Sequence, residues 1–245
     1  MSGQQVPAIF SMARRALRSE RAASAGGTNW LYDAMQEDIA ERLDFMRFDP
    51  QTALLIGAET GQLAHLVEAQ GTRVRTFQEL DEEQPLPVEG VELLISLARL
   101  DTVNDLPGAL IHSRNALSPG GLMIAQIFGA GSLPTLRQIM LAADAERPAA
   151  RIHPQIDDRA ATALLQRAGF SKQVVDTHKL TVRYSSLDRL VSDLREQALT
   201  SVLRSPAPQI GKAALARAKA RFEEMREDDG KVTETFNILT LTAWR

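Results

Sequence analysis

Short apolar runs that alternate with longer amphipathic stretches limit this chain to one broad fold class. "TALLIG" (52–57) is an unbroken apolar run ended by glycine, and "QLAHLVEAQG" (62–71) repeats its apolar residues at helical spacing before stopping at Gly71. "RVRTF" (73–77) reads as a second strand and "VELLISLARL" (91–100) as a third. A turn at Asn104-Asp105 opens the helix "LPGALIHSRNAL" (106–117), and "SPGG" turns the chain into the strand "LMIAQIF" (122–128). Strands covered on both faces are apolar throughout, and helices between them supply the cover, so the pattern specifies a mostly parallel α/β sheet.

The flanks extend this reading. "WLYDAMQEDIAERLDFM" (30–46) places Leu31, Met35, Ile39 and Leu43 on one helical face, and Asp49-Pro50 breaks the pattern because proline disfavours helix in the residue before it. "DDRAATALLQRAGF" (157–170) is a helix capped by Asp157 or Asp158 and ended by Gly169, leading into the strand "KQVVDTHKLTVRY" (172–184). The helical segments "SLDRLVSDLREQAL" and "KAALARAKARFEEMRE" precede the last strand, "TETFNILTLTAWR" (233–245). Two late strands separated by helices predict an antiparallel pair at the sheet edge, with a helical insertion at about 185–230. The expected organisation is an N-terminal helical segment over 1–48 and one main domain over 49–245.

Composition removes several functions. A net charge of -3 argues against the broad phosphate neutralisation that nucleic-acid binding needs. The lack of cysteine excludes disulfides, a thiolate zinc site and a cysteine nucleophile, and fits a reducing, cytoplasmic location. No apolar run approaches the roughly 20 residues of a membrane span, and the N-terminus lacks the apolar core of a secretory signal. His65, His112, His153 and His178 fall in separate elements without ligand spacing, and no G-x-S-x-G nucleophile elbow occurs. "FSMARRALRSERAASAGG" carries Arg14, Arg15, Arg18 and Arg21 against Glu20. It reads as an amphipathic targeting helix, as a solvated basic helix packing its alanines loosely on the body, or as a partner-docking arm.

A glycine-ended strand, "VNDLPGAL", "LSPGGLMIAQIFG", "SLPTLRQI" and "LLQRAGF" together resemble the class I methyltransferases that use S-adenosylmethionine. The likeness runs from about Ile9 to Trp244. Its more specific parts, "FGAGSLPTLR" and "VVDTHKLTVRYSSLDRLVSDL", are similar to the methyltransferase-domain complex I assembly factors of mitochondria, their bacterial relatives, and the biotin-synthesis (methyltransferase type 11) enzymes.

The resemblance implies a Rossmann-like, seven-stranded sheet, mostly parallel with an antiparallel C-terminal strand, and S-adenosylmethionine lying across the carboxyl ends of the first strands. Leu54 to Val91 leaves room for little more than one βα unit of about 30 residues where the family fits two. The sheet is therefore expected to be shortened between the second and fourth family strands.

The family's cofactor loop, acidic-x-G-x-G-x-G, falls on Leu55 to Gly61. Leu55 replaces the acid and Glu59 the middle glycine, while Gly57 and Gly61 remain, so the loop is degenerate. Glu59 either turns inward to replace the missing acid or points to solvent. The implied cofactor-binding residues are Gly57, Ala58, Glu59 and Gly61 in the loop, and Gln78 or Glu79 at the ribose hydroxyls. Asp81 would lie near the adenine and Leu97 at the end of the third strand. Asp101 and Thr102 stand where relatives carry His-Trp, and a turn and helix cap account for Asn104 and Asp105.

Two functions follow. One is a methyltransferase acting on a protein side chain or small acid; methyl transfer needs chiefly orientation, so no catalytic residue is assigned. The other is a catalytically inactive or arginine-hydroxylase-like assembly protein with a respiratory-complex subunit as partner.

Overall fold

The computed structural model describes residues 8–57 and 61–245, so Ala58 and Glu59 of the loop lie outside the described residues. Helices α1 (Met12–Ala25) and α2 (Trp30–Met46) precede β1 (Thr52–Ile56), α3 (Gly61–Ala69), β2 (Arg73–Phe77) and β3 (Val91–Leu97). A 3₁₀ turn (Leu100–Thr102), α4 (Leu106–Ala116), β4 (Leu117–Phe128), α5 (Pro134–Asp144) and α6 (Asp158–Arg167) follow. The chain continues with β5 (Ser171–Tyr184), α7 (Leu187–Glu196), α8 (Lys212–Glu224) and β6 (Val232–Trp244).

The six strands run in the order β2-β1-β3-β4-β6-β5, with the first four parallel and β6 antiparallel to both β4 and β5. β2 is an edge strand, because the unit that would extend the sheet beyond it is missing from the short 54–91 segment. The order reverses around β1, which pairs with β2 on one side and β3 on the other. A ligand crevice is expected at the carboxyl ends of strands around such a reversal.

Alternation along the strands divides the core between two faces. Leu55, Ile95 and Ile124 point to the face covered by α2, α3, α5, α7 and α8, where Leu31, Met35, Ile39 and Leu43 are buried as their spacing predicts. Leu54, Leu94 and Met123 point to α4 and α6. Helix ends follow local chemistry: Asp105 caps α4 by accepting from the Gly108 N–H at 3.0 Å, and Asp157, rather than Asp158, caps α6 by accepting from the Ala160 N–H at 2.8 Å. Buried Glu234 caps α5 from a distance, accepting from the Thr135 and Leu136 N–H groups. Gly129 lets β4 cross β6 closely, since an added Cβ would lie 2.4 Å from Leu239 Cγ. No helix among the described residues is long and apolar enough to cross a membrane.

Candidate cofactor cavity

A cavity of about 740 Å³ opens at the carboxyl ends of the parallel strands. Its floor holds Gln78 and Glu79 beyond β2, Leu97 and Ala98 at the end of β3, and Phe128 at the end of β4. Helix α1 supplies Arg15, Ala16 and Ser19 to one wall, and α5 with the segment after α7 supplies apolar side chains including Leu133, Met140 and Leu199. Ala98, Leu133 and Ala198 line it with φ of +49°, +57° and +55°, so three non-glycine residues in the left-handed region border one cavity. Such backbone costs energy and persists where surrounding structure fixes it, commonly at functional sites.

Val202 and His153, which line the cavity, are held by contacts with the chain before α1. Phe10 bridges to Leu203, the Ser11 N–H donates to Val202 O at 2.9 Å, and the Arg204 N–H to Ile9 O at 2.8 Å. The Val202 N–H donates to His153 Nε2 at 2.9 Å, and the Phe10 ring meets the His153 ring edge-on at 5.3 Å. Burial pushes the His153 pKa down to about 4, which keeps the ring neutral and Nε2 an acceptor. Asn104 ties the same segment down, its Oδ1 accepting from the Ile9 and Phe10 N–H groups at 2.7 and 2.8 Å. Its role thus goes beyond the turn expected from sequence.

Arg15, Glu79 and Arg99 line one polar side of the cavity, with buried Glu82 behind them. Arg15 is 6% exposed, and its Nη2 lies 2.5 Å from Glu82 Oε2 and donates to Leu80 O at 2.9 Å. Arg99 donates from Nε to Glu82 Oε1 at 2.9 Å, from Nη1 to Glu79 Oε1 at 3.2 Å and from Nη2 to Glu79 Oε2 at 2.9 Å. Burial opposes the charge on Glu79, but the Arg99 guanidinium outweighs it and holds the carboxyl below its ordinary pKa. Burial likewise opposes the charge on Arg99, and Glu79 and Glu82 reverse the effect and raise it. Buried Arg15 corrects the expectation of a solvated basic helix packed loosely through its alanines.

Asp101 also lines the cavity. Its Oδ1 is inaccessible and lacks a hydrogen-bond partner. Burial pushes its pKa up to about 6, against the pull of Arg15 and Arg99. A carboxyl that titrates there can exchange a proton near neutral pH. Sequence reasoning noted Asp101 only as a replacement in the family pattern.

Of the residues expected from sequence, Gln78, Glu79 and Leu97 meet in the cavity, whereas Gly57, Gly61 and Asp81 do not line it. Gly57 sits at the end of β1 with φ +136° and donates its N–H to Phe77 O at 2.9 Å, joining the ends of β1 and β2. Leu55, at the family's acidic position, is wholly buried in the core. Gly61 opens α3 facing open space, and the nearby Leu63 N–H is taken by Gln36 Oε1 at 3.0 Å. Asp81 accepts from the Glu83 N–H at 3.1 Å as a local turn. Among the described residues, no group of three His, Asp or Glu is placed to hold a metal ion.

No protein-family model matches the chain. The human mitochondrial arginine-hydroxylase NDUFAF5 is 31% identical over 181 residues, 71% of this chain and 52% of that protein. The chain thus spans about half the length of that relative. The malonyl-[acyl-carrier protein] O-methyltransferase of Xylella fastidiosa (strain M23) is 27% identical over 91% of this chain and 84% of its own length. Among solved structures, the 1,6-didemethyltoxoflavin-N1-methyltransferase of Burkholderia thailandensis, with S-adenosylhomocysteine bound, superposes with a TM-score of 0.53 at 14% identity. That match covers 96% of this chain and 87% of the other. A Bacillus halodurans protein described as a putative methyltransferase gives 0.51 at 11% identity, over 79% of this chain and 91% of its own.

Proposed function

We propose, from the premise that this chain has the class I S-adenosylmethionine-dependent methyltransferase fold and is homologous to NDUFAF5 and to malonyl-[acyl-carrier protein] O-methyltransferases, that its cavity receives an adenosyl cofactor for group transfer. The observation that carries the reading is the position of the cavity: it lies at the strand-order reversal, with Glu79 at the end of β2 and Leu97 at the end of β3. Its volume falls within the range of small-molecule sites. Glu79 would accept from the ribose hydroxyls, and Leu97 and Gln78 would flank the nucleoside. When bound, S-adenosylmethionine supplies an activated methyl group; the chain contributes orientation and an apolar wall that excludes water. Asp101 lines the cavity with a pKa raised by burial to about 6, which makes it the candidate proton acceptor once a bound ligand draws its carboxyl into the cavity.

Isothermal titration with S-adenosylmethionine and S-adenosylhomocysteine tests the reading. Micromolar binding, about -8 kcal/mol, supports it, and no binding at millimolar ligand refutes it.

A second reading, a methyltransferase fold kept as an assembly platform, draws on the occupied Glu79 and the buried Leu55. Its docking surface would be α1, where Arg18 stands among Arg14, Arg21 and Arg195; burial first, then these like charges, lowers its pKa. Such a stripe suits an acidic partner, such as a respiratory-complex subunit. Replacing Arg14, Arg18 and Arg21 with glutamate should abolish partner capture, and unchanged capture would exclude this surface.

A further inference from the structure

We propose that Arg99 is an internal competitor for the ligand's ribose, closing Glu79 in a two-pronged pair that a vicinal diol must open before it can bind. The inference rests on the reading of the cavity as an adenosyl site in which Glu79 takes the hydroxyls. Arg99 donates from both terminal nitrogens, one to each Glu79 oxygen, at 3.2 and 2.9 Å. A ribose diol presents two adjacent O–H donors to one carboxylate, the same two-donor geometry that a guanidinium presents. Both cannot hold the same edge of the carboxylate. Ser19 of α1 lines the same cavity.

The two partners differ in how firmly they are held. Arg99 is 4% exposed and is anchored through Nε to Glu82, which is 2% exposed and also pairs with Arg15. The Glu79 side chain, by contrast, retains 42% of its exposure and lines the cavity. If Glu79 turns to a ligand, Arg99 keeps its Nε bond to Glu82, a carboxylate it then shares with Arg15, so the open state carries a cost that holds the pair closed without the ligand. Ala98, at φ +49°, turns the chain after β3, and the next side chain spans to the residues beyond β2. Because only the open state accepts a diol, a closed state favoured about tenfold lowers apparent affinity about tenfold.

The test is titration of the full chain with S-adenosylhomocysteine, comparing the unmutated protein with Arg99→Met and Arg99→Lys. Arg99→Met, which has no donor, is expected to bind roughly tenfold more tightly. Arg99→Lys, a point donor without the planar fork, is expected to gain about threefold. 2′,3′-Dideoxyadenosine lacks the diol and should bind all three proteins alike. Equal or weaker binding of S-adenosylhomocysteine by the variants overturns the competition but leaves the adenosyl site standing; so does an equal gain for the dideoxynucleoside. Absence of binding to all three at millimolar ligand overturns both. A measurement without substitution covers a variant that fails to fold: nitrogen-15 NMR should show restricted rotation of the Arg99 guanidinium, relieved on saturation with S-adenosylhomocysteine. Persistence of that restriction in the bound protein overturns the proposal.

Discussion

Replacing Arg15 with methionine separates a helix that is built into the site from one that merely rests on the body. The substitution keeps most of the aliphatic stem and removes every donor. Glu82 Oε2 then loses its 2.5 Å partner, Leu80 O loses a 2.9 Å bond, and Arg99 O and the Thr102 hydroxyl lose contacts at 3.4 Å. Breaking a buried ion pair from one side costs about 3–5 kcal/mol, because the remaining charge has no solvent to turn to. Here Arg99 continues to hold Glu82 through Oε1 at 2.9 Å, so the lower end applies, about 3 kcal/mol. With a urea slope near 3 kcal/mol per molar, the denaturation midpoint should fall by about 1 M. Arg21→Met, on the exposed part of the same helix, should change stability by less than about 0.5 kcal/mol. The double variant Arg15→Met, Glu82→Leu should lose less than the sum of the single losses, since it strands no carboxylate. An Arg15→Met cost below about 1 kcal/mol, equal to that of Arg21→Met, would refute the argument that burial and pairing make this arginine structural.

Other expectations follow from single positions. Gly61→Val should fold normally, because an added Cβ meets nothing within 4 Å, and should block cofactor binding if Gly61 borders the ligand as the family resemblance implies; retained affinity in titration would remove Gly61 from the site. His153 has a folded pKa of about 4 against an ordinary 6.5, so the stability it contributes is complete above pH 6.5 and is lost as pH falls toward 4. The loss is about 3 kcal/mol, and His153→Gln, which can still accept from Val202 without titrating, should lose correspondingly less between pH 7 and 4.5 in urea melts. Gly129→Ala should destabilise by roughly 1–3 kcal/mol, because its Cβ would overlap Leu239, and a thermal midpoint within a degree of the original would refute that contact.

The cavity was legible in part. Glu79, Gln78 and Leu97 could be placed because they end strands that the apolar runs define, and strand ends meet at one edge of a parallel sheet. Asp81 was not separable from them by pattern, since an acid in a proline-rich turn caps its own backbone as readily as it faces a ligand. Arg15, His153 and Asn104 escaped because their partners lie far along the chain: Leu80 and Glu82 for Arg15, Val202 for His153, Ile9 and Phe10 for Asn104. The arginine run on α1 read as one solvated face, although it divides into a buried Arg15 and a separate stripe that includes Arg18 and Arg21.

By itself, the sequence determined what depends on neighbouring residues. The period of the apolar positions separated strands from helices, Gly71, Asp105 and Gly169 marked their ends, and the short span from Leu54 to Val91 left one βα unit out of the sheet. Only the tertiary structure decided which charges meet. A guanidinium reaches several ångströms from its backbone and pairs with any carboxylate that folding brings within reach, so Arg99 closing on Glu79 and Glu82, with Arg15 behind them, follows from three elements converging at the strand ends. Desolvation at that convergence, which no local pattern records, turns ordinary surface residue types into a fixed wall of the cavity.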